Sequence, residues 1–169
     1  PARALLHEAQ TQAHKASRLF DQGISALEQK ALKQAETALA RSLDVSPHAG
    51  RTAERLKHVR SLLDQAESLA EQTREHLARK RWDDAIASAQ ATLQLWAAHP
   101  SAATLRADAA QGAAREAVRQ GHKLLKQHAC RRAEAEFRRA LTYCPEDEAP
   151  REGLAEAASI RARTAKEKE

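Results

Sequence analysis

A chain of 169 residues with a formal net charge of +5 and a 42% hydrophobic share is long enough for one domain, or for a short repeat array that behaves as one. Its apolar content is dominated by Ala, with only two Trp, two Phe and one Tyr. Each Ala buries little more than one methyl group, so the core must be spread along many helix contacts. The lack of any long apolar run excludes a membrane span, and no basic start followed by an apolar stretch and a small-residue cleavage site marks a signal peptide.

Gly and Pro total ten residues, and Ala has the best intrinsic helix propensity, so long helices are expected. Strand formers are scarce: three Ile, and Val45, Val59 and Val118, with no alternating run. The chain is therefore all-α. In chain order, a long helix is expected over about 2–29 and a short one over about 31–45, which Ser46-Pro47 ends. A second long helix follows over about 50–79. Arg81-Trp82-Asp83-Asp84 turns the chain, and the two acids favour the first turn of the next helix, which runs to about residue 98. His99-Pro100 stops it, and Ser101 can cap a third long helix over about 102–128. A short helix over about 130–143 ends at Cys144-Pro145. A final helix over about 149–164 covers the open end, and the tail from Lys166 to Glu169 is expected to fray.

The long helices repeat one pattern. Leu6, Ala9, Ala13, Ala16, Phe20, Gly23 and Leu27 follow alternating spacings of three and four. Leu56, Val59, Leu63, Ala66, Ala70, Thr73 and Leu77 follow the same spacings, as do Thr104, Ala107, Gln111, Ala114, Val118, Gly121 and Leu125. Each set gives one narrow apolar seam along a helix, although Thr104 and Gln111 interrupt the third. The short helices repeat too: Ala35, Leu39 and Leu43 match Ala85, Ala89 and Leu93, and then Ala133, Phe137 and Leu141. Three units follow, over about 2–47, 50–98 and 101–145, with the last helix as a cap and 1–169 as a single helical-repeat domain. Ala35, Ala85 and Ala133 are expected to be buried where paired helices cross.

The run Gly23, Ala35, Leu39, Ser42, Pro47 and its copy Gly121, Ala133, Phe137, Ala140, Pro145 resemble the tetratricopeptide repeat. Lys80-Arg-Trp-Asp-Asp-Ala-Ile86 is similar to the turn inside such a repeat. The middle copy departs, with Thr73 for the Gly and Ala97 at the Pro position. A tetratricopeptide unit is about 34 residues, whereas the period here is 48 to 50, so each first helix carries about four additional turns. Two architectures stay open: a tetratricopeptide-like superhelix, or a staggered rod similar to spectrin-type bundles.

Candidate chemistry is sparse. The chain holds no Gly-rich phosphate loop, no GxSxG and no HExxH, so no enzyme and no cofactor are expected. Of the eight His, His7 and His14, or His122 and His128, show no i, i+4 pairing with a carboxylate on the same face, and helix-end or surface roles are preferred. Asp83 and Asp84 are adjacent, and neighbours on a helix do not face each other. Cys130 and Cys144, fourteen apart, lack a second CxxC or His-rich spacing, so no zinc site is expected. Buried thiols in a cytoplasmic protein are preferred over a disulfide. Arg outnumbers Lys nineteen to nine and Asn is absent, which suggests a high-GC, bacterial codon usage. No Met is present, which suggests a fragment of a larger protein.

The resemblance implies that the first helices line an inner, partner-binding face. Those positions are Ser17, Asp21, Ile24 and Glu28, then Glu67, Glu71, Arg74 and Ala78, then Arg115, Arg119, His122 and Lys126. The face changes from acidic to basic along the chain. Residues 115–141 carry eight Arg or Lys against three Glu, which equals the whole net charge. The expected partner is a protein or an acidic peptide; the alternatives are a rigid spacer, an oligomerisation rod and, less favoured for want of stacking aromatics, a nucleic-acid binder. Contact with a second copy through the seam of Leu6, Ala9, Ala13 and Ala16 is a further option.

Overall fold

A computed structural model describes residues 2–166, and the last three residues of the expected frayed tail lie outside it. Among the described residues the chain is all-helical, with seven helices and no strand. They are α1 (Ala2–Glu28), α2 (Leu32–Val45), α3 (Gly50–Ala78), α4 (Trp82–Leu95), α5 (Ala102–Lys126), α6 (Cys130–Tyr143) and α7 (Glu148–Lys166). No helix among them is long and apolar enough to cross a membrane. The 29 residues of α3 run without a break, about 43 Å at the helical rise of 1.5 Å per residue.

Local geometry recurs at the spacing read from the sequence. Lys30, Lys80 and His128 each take a left-handed backbone with φ of 57°. In each turn the next N–H reaches back five residues: Ala31 to Ala26, Arg81 to His76 and Ala129 to Leu124. That closure satisfies carbonyls the helix end leaves open, although no glycine fills the left-handed position. Ala35, Ala85 and Ala133 are fully buried, and so are Leu39, Ala89 and Phe137 four residues later. Ser42, Thr92 and Ala140 complete the buried stripe.

Two compact units divide the chain. The first comprises the residues through Gln72 together with Ser88–Ala103; the second comprises Thr73–Ala87 and the residues from Thr104 onward. In the first, α2 places Leu32, Ala35 and Leu39 in one core with Leu56, Val59, Leu63 and Ala66 of α3, and Phe20 and Leu27 of α1 pack against it. Ser42 donates its buried hydroxyl to the Ala16 carbonyl at 2.8 Å, so the small residue leaves room for α1 and also ties α2 to it. In the second unit, Leu124, Leu125, Cys130, Ala133 and Phe137 form a core with Ala157, and Leu154 and Ile160 of α7 pack against it. Both cysteines are free, with Cys130 buried and Cys144 partly so.

The third seam is corrected in its first half. Thr104, Ala107 and Gln111 are exposed, whereas Ala102, Ala109 and Ala113 are buried. Six residues join α4 to α5, against four between α2 and α3. The buried positions at the start of α5 nonetheless keep a spacing of fifty from α3, matching Thr52 with Ala102, Val59 with Ala109 and Leu63 with Ala113, while its end keeps forty-eight, matching Thr73 with Gly121, so the register changes inside α5. Two polar side chains turn to water as a result.

Candidate binding surfaces

In the first unit the C-terminal half of α1 faces the start of α3. Asp21, Ile24 and Glu28 of α1 and Arg51 and Arg55 of α3 line a surface groove of about 470 Å³, with Phe20, Ser25 and Leu27. The Arg51 guanidinium stands 5.1 Å above the centre of the Phe20 ring, a cation–π contact that screens the ring from water. One wall carries carboxylates and the other guanidinium groups. Asp21, Ile24 and Glu28 are among the positions the resemblance singled out on the first helix; Arg51 and Arg55 are not, because they enter across the Ser46–Ala49 connection. Ser17 is exposed on the preceding turn.

Glu67 and Glu71 lie exposed on α3 in this same unit. The Glu67 carboxylate is 3.6 Å from Nε2 of His99, whose side chain is only 1% exposed. The Nδ1 atom of His99 accepts the Ser101 N–H at 3.3 Å, while its buried Nε2, the atom nearest Glu67, makes no hydrogen bond. The ring also packs edge-on against Trp96 at 4.8 Å. His99 thus fastens the start of α5, a role its place beside Pro100 did not reveal.

The second unit holds the basic face. Arg74 and Ala78 are exposed at the end of α3, and Arg115, Arg119, His122 and Lys126 are exposed along α5. Their spacings of three and four keep the α5 residues on one side of the helix. Arg119 donates to both Glu116 oxygens at 2.7 and 2.8 Å, and this bond raises the guanidinium pKa further. Arg115 donates to Gln111 at 3.3 Å. The Nδ1 atom of His122 is 3.9 Å from Glu156 of α7, and its ring meets Phe137 edge-on at 5.2 Å. The cap therefore brings a carboxylate against the basic face, a contact the sequence reading missed.

The two adjacent acids at the start of α4 serve different partners. Asp83 accepts the Tyr143 hydroxyl and an Arg139 N–H, the latter at 3.1 Å, which holds α4 to α6. Asp84 accepts from Arg81 at 2.7 Å. Among the described residues, no three or more His, Cys, Asp or Glu are grouped to hold a metal ion. No protein-family model matches the chain, and no curated protein is significantly similar to it.

Proposed function

We propose that the chain is a non-catalytic protein-interaction scaffold of tetratricopeptide-like hairpins that takes an acidic segment of a partner on the α5 face. The observation that carries this reading is a reversal of charge on a constant frame. Asp21 and Glu28 of α1 become Arg119 and Lys126 of α5 at a spacing of ninety-eight, and all four side chains are exposed. The packing positions beside them, Ala35 and Ala133 or Leu39 and Phe137, stay fully buried. Side chains that vary in sign on an otherwise repeated frame suit recognition better than folding. Two unlinked thiols suit a reducing, cytoplasmic setting, and three-percent aromatic content disfavours nucleic acid.

A fluorescein-labelled Glu/Asp-rich peptide tests this. Fluorescence anisotropy should report binding that weakens with added salt, since exposed charges are screened over about 8–10 Å. Arg119→Glu with Lys126→Glu should abolish it while circular dichroism stays unchanged. Equal binding by the doubly reversed variant overturns the assignment. A rigid spacer is the second reading, favoured by the unbroken 29 residues of α3. It is supported if no acidic peptide binds the parent.

A further inference from the structure

We propose that the N-terminal half of α1 is a seat for one more short helix, an acidic amphipathic helix of the α4 kind contributed by a partner protein. Leu5 and Leu6 are 65% and 61% exposed, and Ala2, Ala9 and Ala13 lie exposed beside them. The same residues recur at the start of α5 as Ala102, Leu105, Ala109 and Ala113. There the three alanines are buried, at 0%, 0% and 4% exposure. Fifty residues after Leu6, Ala9, Ala13 and Ala16 stand Leu56, Val59, Leu63 and Ala66 of α3, buried in one core with Leu32, Ala35 and Leu39 of the short helix α2. A face of this register is closed, in this chain, by a short helix.

Shape and charge choose the kind of short helix. A helix like α6 does not fit: the Phe137 ring leaves no room for a Cβ at Gly153, and the matching position of α1, by the same register, is Leu5. Glu36 of α2 reaches Arg60 of α3, and Glu134 of α6 reaches Arg161 of α7. The corresponding α1 residues are Gln10 and Ala13, so a carboxylate at that position would find no arginine. The α4 helix has Ile86 there and the small Ala89 where α6 has Phe137. Residues 2–18 carry Arg3, Lys15 and Arg18 against Glu8, a net +2, while α4 carries Asp83 and Asp84 and no base, a net −2. The α6 helix, with four Arg and two Glu, would repel. An antiparallel helix continuing the Glu36–Arg60 pairing sets its first turn within about one turn of Lys15 and Arg18.

A folded second copy is not the occupant. Its own Ala85, Ala89 and Thr92 are already fully buried. Two leucines and three alanines offer on the order of 300 Å², against about 800 Å² per partner in a stable interface.

The test adds a synthetic peptide of residues 81–98 to the isotope-labelled full chain and follows amide shifts. Shifts confined to about residues 2–18, with a Kd below about 1 mM, are expected. Leu5→Lys with Leu6→Lys, both at exposed positions, should weaken binding at least about tenfold, and a peptide of residues 129–144 should not bind. No shift at about 1 mM, equal binding of the 129–144 peptide, or indifference to the double variant overturns the proposal. So does a dimer of the parent in light scattering that the double variant dissolves, since a second copy then covers the face.

Discussion

A Cβ atom on Gly121 would stand 2.6 Å from Cε1 of Phe137. The same edge of that ring also meets Gly153 of α7 too closely for a side chain there, so the ring cannot slide away from α5. Gly121→Ala should therefore destabilise by about 1–3 kcal/mol through overpacking, despite the gain in helix propensity of about 1 kcal/mol. In a Phe137→Leu background the same change should cost less, with a coupling above about 1 kcal/mol. Urea midpoints of the four variants measure it, and additive effects would mean that the ring has room to move.

The equivalent pair in the first unit behaves alike, since a Cβ on Gly23 would stand 2.6 Å from Cγ of Leu39. The middle copy reverses the sizes, with Thr73 and Ala89, both fully buried.

Ala133 is fully buried and packs in one core with Phe137, Leu124 and Ala157. Ala133→Leu should cost about 1–3 kcal/mol, read from its urea midpoint. An unchanged midpoint would place the residue outside the core.

The limits of α2 and α6 were legible because Pro47 and Pro145 follow them by two residues, whereas α4, expected to run to about residue 98, ends at Leu95, five residues before Pro100. The burial of Ala35, Ala85 and Ala133 was legible because they recur at spacings of fifty and forty-eight in the matched short segments. What escaped was anything set by a change of register inside an element. Thr104 and Gln111 broke the seam in the sequence, and the structure turns them to water because the start of α5 keeps the fifty-residue register, in which they match the exposed Glu54 and Ser61 of α3, and changes to forty-eight only further along the helix. The α7 carboxylate beside His122 and the arginines across from Asp21 escaped for a related reason. They join a face from the next helix, and a single-helix stripe does not reveal which neighbours complete it.

Glu134 should make stability depend on acid. The hydrogen bond from Arg161, at 2.8 Å, is the main cause holding its carboxyl below the usual range, with burial opposing. A carboxyl depressed in the folded state stabilises above its unfolded pKa of about 4.3 and loses that contribution as pH falls through the folded value. The stability advantage of the parent over Glu134→Gln should be constant near neutrality and shrink below about pH 4. Glu36, ninety-eight residues earlier, should behave alike: burial is the largest single influence and raises its pKa, but the hydrogen bonds and charges of Lys33 and Arg60 together lower it. Parallel pH profiles of parent and variant would show that the Arg161 pair contributes nothing.

Tyr143 is the only tyrosine in the chain, so phenolate absorbance reports on it alone. Burial is the largest cause raising its pKa above 10.0, and the bond its hydroxyl donates to Asp83 raises it further, while Arg139 opposes. Because burial and this bond together raise the folded pKa, their contribution to stability is fully present below the unfolded value of about 10 and is lost as pH rises through the folded value. Alkaline titration of the native protein should therefore give a midpoint above that of the urea-unfolded chain. Asp83→Ala should bring the midpoint down, because the carboxylate that favours the neutral phenol is gone and Arg139 remains. Arg139→Ala should move it the opposite way. Opposite shifts from two exposed substitutions separate the hydrogen-bonded network from general loosening, which would lower the midpoint in both. A common downward shift would mean that Tyr143 is held by burial alone and that Asp83 does not tie α4 to α6.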